Sequence, residues 1–217
     1  MTTVSHLALR RAIIRTARET VAAGLTQGTS GNVSTRVENG FLITPSGVPC
    51  HELEPSHIPL VHFDGSYVGD REPSSEWSMH YAILRTRPEA RAVVHAHPPC
   101  ATALACLGRD IPAFHYMVAV AGGVDIRCAA YATFGTQELA ENALKALQGR
   151  KACLLANHGI ICFEADLDRA LALAVEVETL AAQYWRALQI GEPNLLSPQE
   201  MERVLKRFET YGKRSGG

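Results

Sequence analysis

The chain has 217 residues, 47% of them hydrophobic, with 21 basic against 22 acidic side chains for a formal net charge of −1. That length buries one core without a disulfide or structural zinc, so a single domain over residues 1–217 is expected. The charge balance and the lack of a long Lys/Arg run exclude a nucleic-acid surface and a polybasic membrane patch, and no apolar run approaches the ~20 residues of a membrane span.

The opening stretch MTTVSHLALRRAIIRTARETVAAGL is broken by Arg10, Arg11, Arg15 and Arg18, so it reads as a helix and not as a signal peptide. Leu7, Ile14, Ala17 and Val21 recur on one helical face, and Gly24 ends the helix. GNVSTRV and GFLITPSG follow as two strands joined at Glu38-Asn39-Gly40, and IPLVHF with SYVGD as a second pair turning at Asp64-Gly65. A helix begins in PSSEWSMHYAILRTRP, capped by Ser74 or Ser75 with Glu76 in its first turn, and ends before Pro88.

RAVVHAH is the next strand, and a helix from Pro99 to Leu107 comes after it. DIRCAAY is expected as a strand, followed by a helix from near Thr136 to Leu147. KACLLANHGIICFEA supplies two buried strand segments interrupted at Asn157-His158-Gly159. A long helix from Asp166 to Ile190 turns Glu176 and Glu178 outward, and a last helix opens with Ser197 as cap and Pro198 at its first position. Only the tail KRSGG reads as loose. Strands interleaved with helices, with hairpin connections in the first half, predict an α/β domain whose central sheet is mainly antiparallel and flanked by helices. The six scattered cysteines contain no C-x-x-C pair and suit buried thiols in a reducing cytoplasm.

Chemistry concentrates where the apolar pattern is interrupted. In VVHAHPPC, His95 and His97 stand two apart, so an extended backbone aims both imidazoles to one side, and the prolines end the strand there. A catalytic zinc site takes three protein ligands and keeps a position open. His158, inside the apolar run LLANHGII, is the candidate third ligand; the alternative is a structural histidine at a strand break. Cys100 is either a further ligand or nucleophile, or a small apolar residue in the following helix. Glu76 is either a carboxylate on a helix dipole or a general base that also ligates the ion, and Glu76 with His80 forms a weaker rival pair. Three turn segments, Thr29-Ser30-Gly31-Asn32, Thr44-Pro45-Ser46-Gly47 and Pro73-Ser74-Ser75, have the residue types of an anion cradle, and of ordinary turns and caps.

In chain order, QGTSGNVSTR, LITPSG, PSSEW, VVHAH, IPAFHYM, AGG, YATFGTQEL, ANHG and FETYG resemble the class II aldolase/adducin family, nearest to its bacterial L-fuculose-1-phosphate aldolases. The resemblance spans roughly Gly24 to Tyr211. It implies one divalent ion per subunit, normally Zn2+ with Mn2+, Co2+ or Fe2+ as alternatives, held by His95, His97, His158 and Glu76, with Glu76 as catalytic acid/base. It places the phosphate cradle on Gly31, Asn32, Ser46, Gly47, Ser74 and Ser75, and a proton-donating tyrosine from a neighbouring subunit on Tyr116. Phe134 and Tyr211 match positions that shape the aldehyde end, and a cytoplasmic homotetramer with active sites at subunit interfaces is implied.

The implied reaction is cleavage of a ketose 1-phosphate, L-fuculose 1-phosphate or a 5-deoxy- or 5-methylthio-ribulose 1-phosphate, to dihydroxyacetone phosphate and an aldehyde. Cleavage leaves an electron pair that needs a sink, and a Lewis-acid ion serves where Lys145, Lys151, Lys206 and Lys213 offer no apolar pocket for an imine. Dehydratases, decarboxylases and epimerases share the scaffold, as does a metal-free adducin module, against which the retained histidines argue. A zinc hydrolase is the rival outside the family, but its His-x-His usually continues with an Asp or His within a few residues, whereas this chain continues His97 with Pro98-Pro99-Cys100.

Overall fold

The computed structural model describes residues 5–210, so the tail KRSGG and Tyr211 lie outside the described residues. The first helix, α1, spans Leu7–Ala22, and β1 (Asn32–Val37) and β2 (Gly40–Ile43) form the first hairpin. The strands β3 (Leu60–His62) and β4 (Tyr67–Val68) precede α2 (Trp77–Thr86), β5 (Ala92–Ala96) and α3 (Pro99–Cys106). A 3-10 turn at Tyr116–Ala121 leads to β6 (Cys128–Ala129), α4 (Gln137–Ala146), β7 (Ala152–Leu155) and β8 (Gly159–Glu164). The helices α5 (Leu167–Ile190) and α6 (Pro198–Thr210) follow.

The eight strands form one sheet in the order β4-β3-β2-β1-β5-β8-β7-β6. Every pairing is antiparallel except that of β6 with β7, so the sheet is mainly antiparallel with helices on both faces. Alternation along each strand sorts the core into two layers. Ala92, Val94 and Ala96 of β5 pack with residues of α1, α3 and α5, while Val93 packs with residues of α2 and α4. Burial on both faces explains why β5 and β8 read as continuous apolar runs.

Tertiary partners correct the sequence reading at several points. On α1 the buried residues are Arg10, Ile13, Ile14, Thr16, Ala17 and Thr20, and the expected Leu7 and Val21 are exposed. Arg10 is drawn inside because its guanidinium donates to the carbonyls of Ser5, Pro55 and Ile58. The strand expected from DIRCAAY is only two residues long, and Asp110 Oδ1 takes the N–H of Cys128. Of the six cysteines only Cys153 and Cys162 are buried, and Cys106 is exposed.

Glu178 does not face outward: its carboxylate accepts the N–H groups of Cys100 (2.9 Å) and Ala101 (2.8 Å). The first turn of α3 has unpaired donors, and its N-cap is Pro98, which has no capping side chain; α5 supplies the acceptor across the fold.

Candidate metal centre

Antiparallel register collects distant sequence at one edge of the sheet. Asn32 at the start of β1 pairs with His95 near the end of β5, and β8 begins beside the end of β5. Ser34 of β1 pairs with Ile43, so the segment after β2 emerges at the same edge. The loop Thr44–Gly47 is fastened to the stretch before α2 by a Pro45–Pro73 bridge, by Ser46 N–H to the Glu72 carbonyl (3.1 Å) and by Ser74 N–H to the Thr44 carbonyl (3.1 Å).

At this edge Glu76, His95, His97 and His158 offer four ligand atoms that lie within 4.8 Å of one another. His95 Nδ1 is 2.8 Å from the Ile160 carbonyl, which makes Nδ1 the protonated nitrogen and leaves the Nε2 lone pair facing the cluster. His97 sits just past β5, with its Nε2 3.0 Å from His95 Nε2. His158 occupies the β7–β8 turn, which Asn157 closes with a left-handed φ of 55°. Its Nε2 is 3.0 Å from Glu76 Oε1, while His95 Nε2 is 3.0 Å from Glu76 Oε2. The residue after His158 has to be glycine: a Cβ on Gly159 would run into the Ala96 carbonyl and lie 2.7 Å from His97 Cδ2.

Glu76 is the N-cap of α2 and not a first-turn residue; Ser74 Oγ accepts its N–H at 3.3 Å. Burial pushes the Glu76 carboxyl up, but the electrostatic pull of His95 and the close ring nitrogens of His158 and His95 outweigh it and hold the group well below the usual carboxylate range. Burial, with His95 and His158 alongside, pushes His97 down to about 4, which favours the neutral, ligating imidazole. Glu76 Oε1 is buried and makes no aligned hydrogen bond, although His158 is near. Three imidazole nitrogens and a carboxylate turned toward one another within this cluster are a donor set that fits a divalent transition ion such as zinc.

Of the proposed cradle residues, Ser46, Gly47 and Ser75 are exposed, and Ser74 is buried with its hydroxyl on Glu76. Gly31 has φ +79°, and a Cβ there would lie 2.8 Å from the His95 carbonyl, so this loop presses against the ligand strand. The Asn32 side chain points inward, its Nδ2 donating to Glu76 Oε2 at 3.1 Å. Gly135, with φ +75°, brings the loop carrying exposed Phe134 against the Ser75 carbonyl.

Tyr116 lies outside the four-residue cluster. It is half exposed, stacks on His115 at 4.8 Å, and lines a cavity of ≈570 Å³ with Met117, Arg203 and Val204. Cys100 is not in the cluster either, and burial raises its thiol.

His80 is overturned as a metal partner of Glu76 because both its ring nitrogens are engaged: Nε2 lies 2.5 Å from Asn32 Oδ1 and Nδ1 lies 2.7 Å from Ser34 Oγ. The residues missed as site components are therefore His80 and Ser34. A signal existed, since Asn32 and Ser34 alternate onto one strand face and His80 lies four residues after Glu76 on a helix.

A mainly antiparallel sheet flanked by helices, carrying three histidines and a glutamate from β5, the β7–β8 turn and the start of α2, defines a class of protein. The family model described as Class II Aldolase and Adducin N-terminal domain matches residues 11–185. The chain is 57% identical over 208 residues to a 5-methylthioribulose-1-phosphate/5-deoxyribulose-1-phosphate aldolase of Rhodospirillum rubrum, covering 96% of this chain and 94% of that protein. It is 50% identical over 207 residues to an L-fuculose phosphate aldolase of Escherichia coli, covering 95% and 96%. A solved L-fuculose 1-phosphate aldolase superposes with a TM-score of 0.92 at 42% identity, covering 96% of this chain and all of that one. The chain belongs to the class II aldolase/adducin family, as one of its aldehyde-lyases. Among the described residues no helix is long and apolar enough to cross a membrane.

Proposed function

We propose that this chain is a zinc-dependent, cytoplasmic class II aldolase that reversibly cleaves a ketose 1-phosphate to dihydroxyacetone phosphate and an aldehyde. The observation that carries the reading is the convergence of Glu76, His95, His97 and His158, with Glu76 Oε1 buried among them without an aligned hydrogen bond. His95, His97, His158 and Glu76 would hold the ion, which when bound supplies Lewis-acid stabilisation for the electron pair released by C3–C4 cleavage.

Glu76 moves the carbon-bound proton: in the direction of synthesis it takes one from the hydroxymethyl carbon of dihydroxyacetone phosphate, and in cleavage it returns one there. Tyr116, supplied by a neighbouring subunit of a homotetramer, donates to the aldehyde oxygen in synthesis and receives that proton in cleavage. Gly31, Asn32, Ser46, Gly47, Ser74 and Ser75 bind the phosphate, and Phe134 shapes the aldehyde end. An imine route is disfavoured because, among the described residues, Lys145 and Lys206 are exposed and Lys151 is 2.5 Å from Glu164 Oε1.

The relatives favour a 5-deoxy- or 5-methylthio-ribulose 1-phosphate, with L-fuculose 1-phosphate as the other candidate. The test is to incubate the zinc-loaded protein with dihydroxyacetone phosphate and a panel containing acetaldehyde, methylthioacetaldehyde, glycolaldehyde and L-lactaldehyde. Condensation with at least one is expected. Failure with all four, alongside dehydration or decarboxylation of a sugar phosphate, would overturn the aldolase reading.

A further inference from the structure

Behind the ligand cluster lies a buried polar chain that the proposed reaction does not use directly. His80 and Ser34 are fully buried, and Asn32 is 6% exposed. The links run from Ser34 Oγ to His80 Nδ1 (2.7 Å), from His80 Nε2 to Asn32 Oδ1 (2.5 Å), and from Asn32 Nδ2 to Glu76 Oε2 (3.1 Å). Burial pushes His80 down to about 3, with neighbouring His95 adding to it, so the ring is neutral and carries one N–H.

Only one direction of hydrogen bonding satisfies every link. Glu76 is an ionised acceptor, so Asn32 must turn its NH2 toward Oε2 and its carbonyl toward His80. His80 must then donate from Nε2, and its Nδ1 accepts the Ser34 hydroxyl proton. The opposite tautomer would flip the amide and set a carbonyl oxygen against the carboxylate. The chain also treats the two oxygens of Glu76 differently: Oε2 is held by Asn32, while Oε1 is left without an aligned partner.

We propose that His80 is a positioning residue: through Asn32 it anchors Oε2 of Glu76 and leaves Oε1 as the oxygen that works in the site. Its kinetic consequence rests on the aldolase reading, but the geometry does not. Asn32 acts here through its side chain, whatever its backbone contributes to phosphate binding.

The test compares wild type with His80→Phe, which fills the space without a donor, and with His80→Gln, which keeps a donor where Nε2 lies. Removing the anchor misplaces a group that must meet a carbon-bound proton, so His80→Phe should lower kcat roughly 100-fold. KM for the ketose phosphate and zinc content should change less than about threefold, and His80→Gln should recover most of kcat. A purely structural role predicts the reverse order, with the apolar ring tolerated and the amide not, and that result would overturn the proposal.

The second readout needs neither metal nor turnover: long-range 1H–15N NMR of the chelator-treated protein. Wild type should show His80 protonated at Nε2 and an Asn32 side-chain NH2 protected from exchange. Should His80→Phe fail to fold, the wild-type tautomer decides, and a proton on Nδ1 sinks the idea. A wild type that cleaves no ketose 1-phosphate yet shows the Nε2–H tautomer and the protected amide defeats the aldolase reading and leaves the positioning of Glu76 standing.

Discussion

Glu76 combines burial, two flanking imidazoles and one oxygen without an aligned hydrogen bond, so its proposed role as a proton carrier can be tested apart from its proposed role as a ligand. Glu76→Gln keeps the shape and removes the basicity, so turnover should fall by roughly 100-fold or more while the three histidines keep zinc in the protein. Steady-state kinetics with metal analysis checks this, and wild-type turnover in that variant removes Glu76 from the chemistry. Gly159 is decisive for a different reason, since a methyl there would meet His97 and the Ala96 carbonyl. Gly159→Ala should therefore reduce zinc content well below one per chain, read by metal analysis after dialysis, with a smaller effect on folding. His95, His97 and the broken run around His158 were legible in the sequence because polar residues in a buried apolar strand stand out. The roles of His80 and Arg10 were not, because the groups that satisfy them, Asn32 and Ser34 for the one and the Pro55 and Ile58 carbonyls for the other, lie 45 to 48 residues away.

Helix starts divide by whether their caps are local. Thr136, Asp166 and Ser197 accept N–H groups three residues ahead, and each helix start was readable from its own neighbourhood. The start of α3 at Pro99 was readable too, but its cap was not, because the acceptor, Glu178, comes from α5, 77 residues from Ala101. Two charge-assisted bonds to backbone donors that otherwise lose their partners make this contact worth more than a surface ion pair. Glu178→Ala should lower the unfolding free energy by about 2–3 kcal/mol, and Glu178→Gln, which still offers an oxygen, by about 1 kcal/mol. Denaturant midpoints for the two variants measure the difference, and midpoints equal to wild type would show that α3 needs no cap. The short β6 has a similar lesson: its alternating sequence suited a longer strand, but Asp110 captures a backbone donor at its start.

Two properties belong to the whole molecule. The proposed tetramer puts Tyr116 of one subunit into the site of the next, so Tyr116→Phe and Glu76→Gln damage different halves of a composite site. Mixing the two inactive variants under subunit exchange should regain a measurable fraction of activity, whereas no recovery on confirmed exchange would place both groups in one chain. Acid stability follows from the buried histidines of the metal-free protein. His80 is held down to about 3 and His97 to about 4, against 6.5 for an ordinary histidine. Below pH 6.5 the unfolded chain binds protons that the fold refuses, so unfolding takes up protons and stability falls as pH drops, continuing until the folded values near 4 and 3 are passed. The Glu76 carboxyl, held below its ordinary 4.5, acts in the same direction: its contribution is present above that pH and is lost as the pH falls below it. One proton on His80 corresponds to a slope of about 1.4 kcal/mol per pH unit, and the more accessible His97 adds a shallower one. Denaturation of chelator-treated protein between pH 7.5 and 4.5 should show this loss, and His80→Gln should flatten the slope by about one proton's worth. A slope unchanged by that substitution would mean that His80 takes up its proton without leaving the fold. Added zinc should raise stability most near neutrality and progressively less on acidification, because protons compete for the same imidazoles that ligate it.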